Sequence, residues 1–346
     1  MNGKRSMQTP SGNRSETENC ENEVRRKTDF GREFPSERKM NEMNFQDSPC
    51  NLCPRNCMAM RSEGKMGYCL CDNEIYVARA ALHMWEEPCI SGESGSGTVF
   101  FSGCNLRCVY CQNFEIAARK KGRRVTEEEL SKIFLALQEK GAANINLVTP
   151  DAYVLAIIRA VEHARDRGLF IPVVYNCSGY EKPEVIRLLG GIVDIFLTDF
   201  KYMEEELART YSAAGDYPAV AKAALAAMVE VAGEPVFDEK GMMQGGVIVR
   251  HLLLPGHKKN AKAVIDYVHG TYGNRVFISL MNQYTPPARL SENPAYATIC
   301  RKVTKREYET VVDHLLSTGA ENAFIQEGDT ADESFIPPFD GTIEGI

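Results

Sequence analysis

The chain reads as an α/β protein built from repeated strand–helix units and closed wholly or partly into a barrel, preceded by a short cysteine-rich, metal-binding segment. Three observations carry that reading. Short apolar runs rich in β-branched and aromatic residues recur from Thr98 onward; amphipathic helical stretches separate them; nine of the twelve cysteines (Cys50, Cys53, Cys57, Cys69, Cys71, Cys89, Cys104, Cys108 and Cys111) precede most of this pattern. Repeated strand–helix units put strands parallel with helices outside. No glycine-rich dinucleotide fingerprint follows the first strand, which argues against an open doubly wound sheet.

Along the chain, residues 1–46 are polar, of mixed charge and without periodicity, and are expected to be a disordered leader with an incidental Cys20. Residues 47–97 form the cysteine-rich segment. Residues 98–327 carry the barrel, with strands expected at Thr98–Phe101, Ile145–Val148, Pro172–Tyr175, Ile192–Phe200, Val247–Leu254 and Val276–Met281. Thr126 with Glu129 reads as a capping box opening a helix with Leu130, Ile133, Phe134 and Leu137 on one face and Gly141 at its end. Asp151 is expected to cap a second helix, and Thr304 with Glu307 opens another that stops at Gly319. The tail, residues 328–346, is loop-like, and Ile336-Pro337-Pro338 is placed to fold back over an apolar opening.

At 346 residues the chain spans one large or two ordinary domains. A formal net charge of −7 argues against a dedicated nucleic-acid binder. No stretch approaches the run of about 18 apolar residues that a membrane span needs, and Met1-Asn2-Gly3-Lys4-Arg5 opens no secretory signal. The expected location is the cytoplasm, where thiols stay reduced and clustered cysteines serve as ligands or catalysts.

Phe101-Ser102-Gly103-Cys104-Asn105-Leu106-Arg107-Cys108-Val109-Tyr110-Cys111-Gln112-Asn113 follows the first barrel strand. Three thiolates within eight residues can hold one face of a 4Fe–4S cluster and leave one iron open for a ligand, as an open position marks a catalytic metal site. Zinc with a distant fourth ligand and three unligated cysteines are the alternatives. Upstream, Cys50-x2-Cys53-x3-Cys57 followed by Gly67-Tyr68-Cys69 supplies four thiols, enough for a zinc site or a closed iron–sulfur cluster.

Cys-x3-Cys-x2-Cys with Tyr110 before the last cysteine resembles the signature of radical S-adenosylmethionine (SAM) enzymes. The resemblance extends over about residues 50–327 to bacterial homologues of the pyruvate formate-lyase activating enzyme. It runs through Glu86-Glu87-Pro88, Gly95–Gly103, Asn144–Pro150, Val174-Tyr175-Asn176, Asp199-Phe200-Lys201-Tyr202, Val249-Arg250-His251-Leu252 and Met281-Asn282-Gln283-Tyr284. It implies a partial six-stranded (βα)6 barrel, a 4Fe–4S cluster on Cys104, Cys108 and Cys111, and SAM chelated to the open iron. It further implies reductive cleavage to a 5′-deoxyadenosyl radical that abstracts hydrogen from a partner protein or small molecule, glycyl-radical activation being the nearest analogy. Flavodoxin or ferredoxin is the implied electron donor, and an oxygen-sensitive enzyme of anaerobic metabolism the implied setting. Tyr110 would lie against the adenine, and Asp199 and Lys201 near SAM. Cys69 is preferred to Cys71 because it follows Gly-Tyr, as in the resembling group. Activating enzymes carry a Gly-Gly-Glu-Pro-like stretch at the end of the second strand; here the oxygens of Asn146 and Thr149 stand in its place.

Ligands of parallel βα folds gather at the carboxyl ends of the strands. Asn113, Asn146, Thr149, Asn176, Ser178, Asp199, Lys201, Arg250, His251, Asn282 and Gln283 fall there or in the loop above. Arg250, set among apolar residues, requires a carboxylate partner, either from SAM or substrate or from Asp199. His83, Cys89 and Cys300 read as packing residues, Cys177 as a non-catalytic strand-end thiol, and His257, His269 and His314 as solvated. The competing functional reading is an iron–sulfur electron carrier or redox sensor without SAM chemistry; a zinc-stabilised scaffold is a third.

Overall fold

Ten strands make up the sheet of the computed structural model: β1 (Ile75–His83), β2 (Ser96–Phe101), β3 (Arg123–Val125), β4 (Ile145–Val148), β5 (Val173–Cys177), β6 (Ile195–Asp199), β7 (Val236–Phe237), β8 (Met243–Leu252), β9 (Phe277–Met281) and β10 (Ala323–Ile325). The structure describes residues 48–119, 121–326, 337 and 339–346. All of them belong to one unit, Phe34–Ile346. The expected leader 1–46, Cys20, Ile336 and Pro338 lie outside the described residues.

Strand order is β10-β9-β8-β6-β5-β4-β2-β1-β3, with β7 a short antiparallel flap on β8. From β2 to β10 every pairing along this path is parallel. β1 and β3 run antiparallel on the β2 side. The two ends of the sheet do not pair with each other, so the barrel is partial. The six expected strands are β2, β4, β5, β6, β8 and β9. Ile192 and Val193 lie outside β6 because their amides bond back to Leu189 O and complete the turn after the helix Pro183–Leu188. β2 begins at Ser96, so the expected boundary at 97/98 cuts a strand, and β1 joins the barrel sheet instead of standing in a separate segment.

The two faces of the sheet follow from the alternation of strand residues. Val173, Tyr175, Phe196, Val247, Val249, Ile278 and Leu280 join the core under the surrounding helices. Their neighbours Val174, Ile195, Leu197 and Ile248 turn inward and enclose Cys89 and Ile90 of the short helix Pro88–Ser91. A plug between β1 and β2 thus fills the lower lumen, with Pro88 opening its helix and nothing lost for the missing N–H.

Both expected capping boxes are present. Thr126 Oγ1 accepts from Glu129 N at 3.1 Å while Glu129 Oε2 accepts from Thr126 N at 2.8 Å, opening the helix Glu127–Glu139. Thr304 and Glu307 do the same for Lys305–Ser317. Asp151 does not cap. It opens a 3-10 turn, Asp151–Tyr153, from which the helix Val154–Asp166 continues, and its carboxyl is buried beside Glu181 and Tyr175. The tail returns to the barrel: Ala80 donates to Thr342 O and accepts from Glu344 N, and Phe339 meets Phe100 edge-on at 5.5 Å. Among the described residues no helix is long and apolar enough to cross a membrane.

Ile90 is fully buried in the plug. Ile90→Ala is expected to lower stability by about 2–5 kcal/mol through the cavity it leaves in the lumen, read as a lower urea midpoint at unchanged slope.

Candidate active site

The cysteine loop leaves β2 at Gly103, whose φ of +92° lies in the left-handed region. A side chain there would collide with Cys71 Sγ, so glycine meets both a conformational and a spatial demand. From this point Cys104 N donates to Cys69 O at 3.3 Å, Val109 N to Tyr211 O at 2.9 Å, and Asn105 Nδ2 to Tyr180 O at 2.8 Å. Arg289 Nη2 holds Cys111 O at 2.8 Å, and Ser212 Oγ donates to Cys108 Sγ at 3.0 Å. Tyr110 OH shares a 2.6 Å hydrogen bond with Tyr202 OH, which fixes its ring on the wall. Burial pushes the Cys104 thiol well above its ordinary range and Cys111 up to about 12, with neighbouring Cys108 adding to both. Lys201 and Arg289 only partly offset this at Cys111, and a bound iron–sulfur cluster would supply further positive charge to the donor set.

The loop roofs a cavity of about 760 Å³, within the ordinary range for a small-molecule site. Of the residues expected at the site, Cys108, Tyr110, Cys111, Asn113, Asn176, Asp199, Lys201, Arg250 and Gln283 line it. Asn146 and Thr149 do not. Asn146 is fully buried behind the wall, and Thr149, at φ +57°, spends its N–H on Asn176 O at 2.9 Å. A β-branched residue in the left-handed region is strained, here in the turn that leads from β4 into Asp151–Tyr153. Cys104 stands beside its two partner cysteines without reaching the cavity wall.

Arg250 organises the floor. Its Nε donates to Asp199 Oδ1 at 2.9 Å, Nη1 to Glu86 Oε2 at 3.3 Å, and Nη2 to Asn176 Oδ1 at 2.6 Å. Lys201 Nζ bonds Asp199 Oδ2 at 2.5 Å, and Glu86 Oε1 accepts from Asn146 Nδ2 at 3.0 Å. Burial alone would raise Asp199, yet Lys201 and Arg250 together outweigh it and hold the carboxyl below its usual range. Of the two partners expected for Arg250, the chain's own Asp199 is in place, joined by Glu86. His251, the next residue on β8, donates from Nδ1 to Phe200 O at 2.7 Å, and burial drops it to about 4. It is a neutral structural group.

Glu86 and Glu87 line the cavity and were not among the residues expected at the site. The signal for them was a charge count: Arg250 and Lys201 buried together need more than Asp199 alone. His83 meets Phe100 edge-on at 6.0 Å, as a packing residue does, and also lines the cavity. Cys177 is buried in the strand and does not line it. His257 and His314 are not simply solvated: they bond Tyr211 OH at 3.0 Å and Asp266 Oδ1 at 2.7 Å.

The N-terminal thiols surround a second, small pocket. Cys50, Cys53, Cys57 and Cys69 line it together with Arg61 and Asp151. A side chain on Gly67 would lie 3.0 Å from Cys57 Sγ and 3.6 Å from Cys69 Sγ, so both thiols crowd this glycine. Cys71 does not line this pocket; its thiol lies against Cys69 and faces Ser102 O and Tyr153 OH. The buried Arg61 grips Asp72 O through Nε and Nη2 and points Nη1 at Cys50 Sγ, 3.9 Å away. Among the described residues no three His, Cys, Asp or Glu side chains close on a single ion's distance; the thiols ring the pocket.

Residues 98–266, which hold the cysteine loop and the strands β2 to β8, match the family described as the radical SAM superfamily. The match spans just under half of the chain, and the cofactors of that superfamily are a 4Fe–4S cluster and SAM. The chain is 29% identical over 274 residues to Uncharacterized protein MJ0674 of Methanocaldococcus jannaschii, covering 76% of this chain and 73% of that protein. It is 24% identical over 237 residues to MJ0808 of the same organism, covering 64% and 65%. Among solved structures it is similar to Streptococcus suis SuiB bound to precursor peptide SuiA, at 14% identity and TM-score 0.42, over 65% of this chain and 46% of that one. It is likewise similar to the FeFe-hydrogenase maturase HydG from Carboxydothermus hydrogenoformans, at 13% identity and TM-score 0.43, over 70% and 55%. The chain spans about half the length of these solved chains.

Asp199 neutralises two buried cations. Asp199→Asn is expected to cost about 3–5 kcal/mol, measured by urea unfolding at neutral pH, because it strips Lys201 of its carboxylate and Arg250 of its nearest one.

Proposed function

We propose that the chain is an enzyme that binds SAM in the cavity beneath Cys104, Cys108 and Cys111 and directs hydrogen abstraction at a substrate in the barrel lumen. When bound, the 4Fe–4S cluster supplies the electron that cleaves SAM to a 5′-deoxyadenosyl radical. One observation carries the reading: two of the three loop thiols line the same cavity as a floor of fixed charges. An electron carrier would need neither a cavity of this size nor ion-paired side chains inside it.

The chain's own residues have separable tasks. Cys104, Cys108 and Cys111 hold the cluster, with Ser212 and Arg289 fixing the loop. Tyr110, pinned through Tyr202, presents its ring to SAM. Asn113, Asn176, Asp199 and Lys201 offer polar contacts around SAM, with Arg250 locking Asp199 and Asn176 in place. Asn146 acts at one remove by orienting Glu86, and Thr149 shapes the turn that carries it. The substrate is a small molecule or a partner protein's side chain, with glycyl-radical activation the version suggested by the resemblance. The reading keeps a cytoplasmic, oxygen-sensitive enzyme supplied by flavodoxin or ferredoxin. Cys50, Cys53, Cys57 and Cys69 hold a second metal, zinc or iron–sulfur, with the Arg61 guanidinium offsetting their negative charge.

Two variants test the division of labour on protein purified and reconstituted without oxygen. Cys108→Ala is expected to abolish formation of 5′-deoxyadenosine from SAM. Full activity in that variant would refute the assignment of the loop. Cys53→Ala is expected to lower total metal by the content of one centre and to lower stability, with a cleavable SAM site retained. Unchanged metal content would remove the second centre from the account.

A further inference from the structure

The short plug that closes the lower lumen carries a second carboxylate, Glu87, which lies in the field of Arg250 and beside Ser279 but keeps one oxygen unused. Glu86 is consumed by Arg250, Asn146 and Asn176. Glu87, the next residue, is 8% exposed and lines the cavity, yet its Oε2 is buried without a hydrogen-bond partner. A carboxylate withdrawn from water is costly unless a cation or donors meet it.

We propose that the cavity floor is a recognition subsite for a protonated nitrogen carried by the substrate, with Glu87 as its anchoring carboxylate. The charge count supports this. Three carboxylates, Glu86, Glu87 and Asp199, line the cavity against two cations, Lys201 and Arg250, while burial keeps His83 toward its neutral form. Both cations are engaged: Lys201 with Asp199, and the Arg250 fork with Asp199, Glu86 and Asn176. A substrate carboxylate would therefore find no free guanidinium or ammonium on the floor, whereas a substrate ammonium finds an unmatched oxygen. Burial also raises Glu87, with Arg250 only partly countering it, so a cation arriving beside it restores what desolvation removed. Phe100, Leu252, Met281 and Phe324 add apolar surface to the same cavity. The chemistry recognised is thus an amine on a hydrocarbon stem.

The inference rests on the radical SAM reading in calling the occupant a substrate, because SAM itself carries an ammonium. Anaerobic calorimetric titration of the reconstituted full-length chain, with SAM bound, separates the cases using n-butylammonium, n-butanol and butyrate. The wild type is expected to bind butylammonium at least about tenfold more tightly than either analogue, a difference of about 1.4 kcal/mol. Glu87→Gln is expected to erase that preference while its affinity for SAM stays unchanged. Equal binding of the three probes by the wild type, or a preference that survives in Glu87→Gln, overturns the proposal. A parallel tenfold loss of SAM affinity assigns the nitrogen to SAM and overturns the substrate assignment. Deoxyadenosine formation is followed on the same preparation, so a wild type that cleaves SAM but ignores amines defeats this inference alone.

Discussion

A guanidinium on the inner face of a barrel strand cannot remain there unpaired, and the arrangement around Arg250 is what that constraint produces. Its three nitrogens tie β8 to Asp199 on β6, to Asn176 on β5 and to Glu86 at the head of the plug. Among the described residues no strand closes the barrel, and the same plug fills its lower lumen with Cys89 and Ile90. The residues that stopper the barrel thus also deliver its counter-charge. Buried ion pairs are weak sources of net stability but strong determinants of geometry. Here they fix a polar floor beneath a cavity whose roof carries the thiols.

The two cysteine sets are mechanically joined. Gly103 sits against Cys71 and Cys69 at the point where the central loop begins, and Cys104 N donates to Cys69 O. Cys71, fully buried and turned toward Ser102 and Tyr153, packs the N-terminal segment onto the C-terminal end of β2. Arg55 extends the contact by donating to Asn105 O at 2.8 Å and stacking over Tyr68. Ordering the first set therefore orders the backbone from which the second is hung.

Much of this was legible in the sequence because it is local. The capping boxes at Thr126 and Thr304 need only four residues each, and the six apolar runs announce strands that are buried on both faces. The central cysteines declare themselves by spacing. What escaped depends on distant partners. β10 is three residues long and exists as a strand by pairing with β9. β1 runs antiparallel and reads as part of a cysteine-rich leader until β2 is seen beside it. Asp151 has the residue type of a cap but is buried among Tyr175 and Glu181, where tertiary packing overrides the local preference. Glu86 and Glu87 look like surface residues before a proline, and only the position of Arg250 brings them inside. The need of Arg250 for a carboxylate is legible from its apolar neighbours in the sequence, while its actual partners, Asp199 and Glu86, are brought to it only by the fold.

The most direct test of the central claim is electron paramagnetic resonance of the reduced, reconstituted enzyme before and after SAM is added. The account predicts a 4Fe–4S signal that changes on SAM addition and gains coupling to nitrogen when the SAM amino group carries nitrogen-15, with that response lost in Cys111→Ala. A cluster signal indifferent to SAM would contradict an open coordination position beneath this loop and favour an electron carrier on the same fold.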